Sequence, residues 1–207
     1  MRILRKLNFL GVIINSQLNW NDHIQTISNK ISKNVDIIFR KRNNLNRNTL
    51  LMLYHSMIQP YLDYCNIVWA AGGSYLDHLF KKQKKSIRTI TFAKLNAHSD
   101  PIFEQLKVLK LKQINIFQTC YFVYKSLHNL LSSQFSNFFT INNEIHHYNT
   151  RAAYKIHQIQ HNLNVRARSI RVHGVKMWNS LSSAVTQSPS FNIFKKNCKK
   201  HIVEHTY

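Results

Sequence analysis

Four glycines and three prolines are all that punctuate 207 residues. The chain has few places to interrupt a hydrogen-bonded run, so it must be built from long elements. Apolar spacing says which kind. Ile24, Ile27, Ile31, Val35 and Ile38 recur at steps of three and four, one face of a helix that Asn21 or Asp22 can cap. A second helix runs from Thr49 through Met57 with Leu50, Leu53, Tyr54 and Met57 in register, and Pro60 kinks or restarts it. Over residues 74–92 Leu76, Leu79, Phe80, Gln83, Ile87 and Ile90 share a face. Asp100 and Pro101 read as the cap and first turn of another helix. Lys112–Leu131 follows, with Ile114, Phe117, Tyr121 and Tyr124 aligned. Two last helices are predicted. One is Val165–Leu181, and the other starts after Pro189 with Phe191, Phe194, Cys198 and Ile202 inward.

Strands are few. Phe9–Ile14 is short, β-branched and apolar, and reads as a buried strand with Gly11 inside it. Tyr61–Trp69 is apolar nearly all round and reads as buried. Residues 132–165 are polar, rich in asparagine and histidine, and mark a boundary; Tyr154–Ile159 is the one candidate edge strand there. The expected fold is mainly α, with one or two short β-strands at the amino end and a helical carboxyl-terminal region.

Charge narrows the function. Lysine and arginine total 29 against 8 aspartates and glutamates, a net +21. The excess is even: 9 basic against 3 acidic residues over 1–75, 10 against 3 over 76–130, and 10 against 2 over 131–207. So large an imbalance repels itself until an anion screens it, and its even spread suits a body lying along a polyanion. A nucleic acid is the expected partner, with an anionic membrane surface or a merely solvated basic exterior as alternatives. No apolar run approaches the roughly 20 residues of a spanning helix. The three cysteines, Cys65, Cys120 and Cys198, are odd in number and widely spaced. They fit a reducing interior, nuclear or cytoplasmic, better than a secreted disulfide framework. The start at Met1 reads as folded chain and not as a signal, although its poverty in acids leaves a mitochondrial alternative.

Carboxylate chemistry has little to draw on. Two-metal phosphoryl transfer needs converging acids. Of Asp22, Asp36, Asp63, Asp77, Asp100, Glu104, Glu144 and Glu204, only Asp100 and Glu104 lie within one helical turn. No catalytic residue, resident metal or cofactor is expected in this chain. Cys198, His201 and His205 could supply three metal ligands from one helix, but a structural zinc site takes four and no second cysteine stands close by, so they read as part of a plain basic amphipathic helix. His146 and His147 read as a surface pair.

The positive signals are runs of cations. Lys81, Lys82, Lys84, Lys85 and Arg88 share one helix and match phosphates without reading bases; such a run also serves as a nuclear-localisation signal. Arg40, Lys41 and Arg42 end the first helix, favourable for its dipole and available to phosphate. Lys195, Lys196, Lys199 and Lys200 repeat at i, i+4 with no acids to pair them, so those like charges cost stability unless an anion lies nearby. Trp20, Trp69 and Trp178 stand among apolar neighbours and read as core before base-stacking surface.

Several segments together resemble the end of the reverse transcriptase of jockey-type non-LTR retrotransposons. Phe9–Asn15 with Leu18, Trp20, His23 and Ile24 is similar to the end of the polymerase domain; Ile58–Trp69 to the buried helix after it; Leu79–Ile90 to its basic helix; Lys176–Leu181, with Phe194, Lys195 and Lys196, to its carboxyl end. The resemblance implies that residues 1–20 are a palm and hinge strand, with Phe9, Leu10 and Gly11 as a primer grip. Residues 21–75 would be thumb-like helices, 76–131 the basic helix with connecting helices, and 132–207 the carboxyl-terminal region. It further implies a parent RNA-directed DNA polymerase, dependent on magnesium, that holds RNA and DNA as template–primer. The catalytic Asp-Asp box of that family lies upstream of the Phe-Leu-Gly strand, so the chain is expected to be inactive alone, with the rest of the polymerase as a further partner. Asn15, Ala70, Ser182 and Phe80 depart from the family's usual residues. Two other readings remain: an independent or domesticated basic module, and an unstable product whose orphaned strand leaves an apolar edge.

Overall fold

Structure is described for residues 6–73, 75–145 and 152–205 of a computed structural model. Among them the chain is mainly helical, with a two-stranded antiparallel sheet at the amino end. It divides into two compact units, Met1–Ile114 and Asn115–Tyr207, each with its own apolar core.

The first unit opens with a hairpin. β1 (Lys6–Phe9) pairs with β2 (Val12–Asn15), Phe9 opposite Val12. Leu10 and Gly11, at φ 47° and 81°, form the two-residue turn with both central residues left-handed that right-twisted hairpins favour. This corrects the expectation of one buried strand over Phe9–Ile14. Gly11 supplies a turn, β1 is exposed throughout, and only Val12 of β2 is buried. The Tyr64 hydroxyl donates to the Leu10 carbonyl at 2.6 Å and ties down the tip.

α1 (Asn21–Lys41) carries the predicted ladder, and Ile24, Ile27, Ile31, Val35 and Ile38 are all buried. Its cap differs from expectation. Trp20, left-handed at φ 60°, precedes the helix, while Asn19 Oδ1 accepts the Asn21 N–H and Asp22 pairs with Lys6. A 3-10 turn over Arg42–Asn44 leads to α2 (Arg47–Met57), capped by Asn46, whose side chain accepts the Thr49 N–H at 2.9 Å. The apolar stretch around Pro60 is two short helices, α3 (Gln59–Asp63) and α4 (Asn66–Trp69), broken where Cys65 turns left-handed at φ 50°. Only part of it is buried: Leu62, Asn66 and Trp69 are inside while Tyr64 and Val68 face out. α5 (Tyr75–Thr91) follows, then α6 (Asp100–Leu106) and the start of α7 (Leu111–Leu127). Asp100 does not cap α6; its carboxylate meets Lys110 at 2.9 Å.

The second unit takes the rest of α7, a 3-10 turn at Ser133–Phe135, and α8 (Asn142–Ile145). The expected edge strand is a single bridge, Ile141 to Ile156. Asn179 completes it: its Oδ1 accepts the Ile156 N–H at 3.0 Å and its Nδ2 donates to the Ile156 carbonyl at 2.9 Å. The expected helix over Val165–Leu181 is broken into α9 (Asn164–Ala167), a π-turn at Ile170–Gly174 and α10 (Val175–Asn179), because Ser169 turns extended at ψ 149°. α11 (Ser183–Thr186) and α12 (Phe191–Glu204) complete the unit. Its centre is aromatic, with Tyr124 stacked on Phe194 at 4.3 Å and Trp178 5.7 Å from Phe194. The expected His146–His147 pair lies outside the described residues.

Candidate nucleic-acid interface

Two cationic segments far apart in sequence come together in the first unit. Ser28 meets His78 at 3.2 Å, Asp36 meets Lys85 at 3.4 Å, and Arg42 lies against Phe92. Every step along α1 is thus matched by a step in the same sense along α5, and the two helices run parallel. Their carboxyl ends, where unsatisfied carbonyls favour cations, lie side by side. Arg40 and Lys41 close α1 and Arg88 closes α5.

The basic side chains of this region differ in what they do. Arg40, Lys41 and Lys81 are exposed and Lys82 is half-buried; no acidic residue pairs with any of them among the described residues. Lys84 lies 4.3 Å from the Phe80 ring, and Lys85 is engaged by Asp36. Arg88 donates from Nε to the Ala97 carbonyl at 2.9 Å and so braces the loop after α5. Gln83, in the middle of the lysine run, is fully buried and belongs to the core.

Sequence reasoning missed an aromatic component here. The Arg42 guanidinium lies 4.3 Å from the Phe39 ring and 5.4 Å from the Phe92 ring. Phe39 and Phe92 are about half exposed, at 49% and 53%. Phe92 is left-handed, φ 57°, just past the end of α5, and the Ala93 N–H reaches back to the Arg88 carbonyl at 3.0 Å. That is the closing geometry usually given to glycine, and a side chain there costs roughly 1–2 kcal/mol. The available signal was the position of Phe39, which falls off the Ile24–Ile38 face beside three cations.

In the second unit α12 presents Lys195, Lys196, Lys199 and Lys200 outward while Phe194, Cys198 and Ile202 are fully buried. Lys200 approaches Glu204 at 3.8 Å; Lys195, Lys196 and Lys199 have no acidic partner among the described residues. Cys198 points into the core beside Cys120, whose thiol is held well above the usual range by a hydrogen bond with Cys198 and by burial. His201 stacks on His205 at 4.1 Å, and burial lowers the His201 pKa. Among the described residues no group of three histidine, cysteine or acidic side chains is placed to hold a metal ion.

Phe9, Leu10 and Gly11 lie at the exposed tip of the hairpin, with Phe9 59% and Leu10 74% exposed. Beneath them Gly11, His23, Lys30, Tyr61 and Tyr64 border a cavity of about 330 Å³. Trp69 and Trp178 are buried and Trp20 is half-buried against the first core. Among the described residues no helix is long and apolar enough to cross a membrane. Comparison with known protein families, curated proteins and solved structures finds no match for this chain.

Proposed function

We propose that this chain binds nucleic acid through its phosphates, as the thumb and carboxyl-terminal part of a jockey-like reverse transcriptase, and that polymerisation belongs to a separate part carrying the Asp-Asp box. One observation carries the reading: the exposed cations at the joined ends of α1 and α5 and along α12 have almost no acidic partners in a chain of net charge +21. Left uncompensated, those like charges oppose folding, and a phosphate backbone offsets them. The order of the jockey-like segments supports the family assignment. The amino-terminal hairpin followed by a bundle of helices accords with a palm-to-thumb passage, with Phe9, Leu10 and Gly11 at its tip.

Anisotropy of a fluorescein-labelled RNA–DNA hybrid titrated at graded potassium chloride tests it. The logarithm of affinity falls linearly with that of salt, with a slope of about −0.9 for each phosphate neutralised. A flat response overturns the reading. Primer extension by the purified chain with magnesium gives no incorporation, and reproducible extension overturns the division of labour.

A second reading, an independent basic module, has one observation in its favour: each unit encloses its own core. An in-frame upstream transcript encoding an Asp-Asp box decides for the polymerase fragment, and an untranslated leader ending at Met1 for the module.

A further inference from the structure

The Phe39–Arg42–Phe92 cluster lies among cations but leaves two aromatic side chains about half exposed, with Arg42 over both rings, and phosphates need no aromatic surface. Around it stand Arg40, Lys41 and Lys94, all exposed, with Leu95 80% exposed in the same loop as Phe92. The acid closest in sequence to Phe39 is Asp36, and Lys85 engages it. Packing does not explain the arrangement. Phe92 takes a backbone conformation that disfavours any side chain, and it is about half exposed. Asparagine or glycine would close α5 with less strain. Strain kept at an exposed aromatic is a reason to look for a ligand.

We propose that Phe39 and Phe92 form a stacking platform for unpaired bases, so that the end of the α1–α5 pair holds a single-stranded stretch of nucleic acid. Arg42 keeps the two rings in place by its cation–π contacts, and Arg40, Lys41 and Lys94 take the flanking phosphates. Base–aromatic stacking with a basic surround is the general device for sequence-tolerant single-strand binding. Duplex ends, with their bases already stacked, gain little from it. The inference rests on the nucleic-acid reading above and adds strand state to it.

The test compares the wild-type chain with Phe39→Ala, Phe92→Asn and Phe92→Trp. Two probes are used: a labelled oligo(dT) of about 12 nucleotides, within the usual site sizes, and a labelled duplex. Phe39→Ala and Phe92→Asn each weaken oligo(dT) binding by about tenfold and weaken duplex binding by much less. Phe92→Trp retains oligo(dT) binding. Phe92→Asn melts no lower than wild type, because it relieves the left-handed phenylalanine, so misfolding does not mimic the result. An oligonucleotide containing 2-aminopurine is quenched on binding wild type and not the alanine variant. Unchanged oligo(dT) affinity in both variants overturns the platform while leaving phosphate binding intact; a protein partner occupying the rings would give that outcome. Failure of the wild type to bind either probe overturns both readings together.

Discussion

Gln83 donates from Nε2 to the Tyr54 hydroxyl at 3.0 Å, and both side chains are fully buried. The same amide donates to the Leu109 carbonyl and accepts the Leu111 N–H, both at 2.9 Å. One glutamine therefore joins α2, α5 and the start of α7, and it satisfies an otherwise orphaned N–H in the first turn of α7. It also explains the gap in Lys81–Lys85: Gln83 is the one core position inside that run.

Gln83→Leu keeps the volume and removes all three bonds. It leaves a hydroxyl, a carbonyl and an N–H buried without this partner, so the first unit loses about 3 kcal/mol. The urea midpoint at neutral pH measures it, and a change near zero would show that water replaces the amide.

Acid weakens the first unit through His23 before Asp22 and Asp100 titrate. Burial, assisted by the Lys30 charge, lowers the His23 pKa from 6.5, and Nδ1 accepts the Ile13 N–H at 3.3 Å. The folded state therefore binds its proton at lower pH than the unfolded state does. Stability is full above 6.5 and is lost as pH falls from there toward the folded value. His173 in the second unit is lowered in the same sense by burial and Lys176. Asp22 and Asp100, lowered from 3.8 by their lysines, act only in stronger acid. His23→Gln retains an acceptor for Ile13 without titrating, so it flattens the decline in urea midpoint between about pH 7.5 and 5.5.

Periodicity made the long helices legible. Ile24 to Ile38 lie along one face and Leu76 to Ile90 along another, and both faces are buried as the spacing demands. What escaped was backbone conformation. Leu10, Trp20, Cys65 and Phe92 all adopt positive φ, which composition does not announce in residues other than glycine or asparagine. Those positions made a hairpin of one apparent strand and split one apparent helix at Cys65. The candidate site was legible by charge, since Arg40–Arg42 and Lys81–Arg88 stand out as cationic. Its assembly was not, because nothing local says that α1 and α5 run parallel with ends together.

The cysteines separate by burial. Cys120 and Cys198 are fully buried in the second core, and the Cys120 thiol is pushed far toward its protonated form, whereas Cys65 is half-buried. Since the thiolate is the nucleophile, a thiol reagent labels Cys65 alone in the folded protein and all three cysteines in denaturant. Rapid labelling of Cys120 in native buffer would show that the second core opens readily.

The lysines of α12 set stability against binding, and one substitution separates the two. Lys195 and Lys199 are a turn apart, exposed, with no acid beside them among the described residues. Lys195→Glu replaces that repulsion with a Glu-to-Lys pair in the favourable order and puts an acid nearer the amino end of the helix dipole. Together these raise stability by about 0.5 kcal/mol. If α12 contacts phosphate as proposed, the same change removes one cation from its row, so the salt slope for nucleic-acid binding falls by about 0.9 and affinity drops. Thermal melting and anisotropy must therefore move in opposite directions. A solvated helix face with no nucleic-acid role would give the gain in melting temperature with no loss of affinity, and that result would remove α12 from the interface.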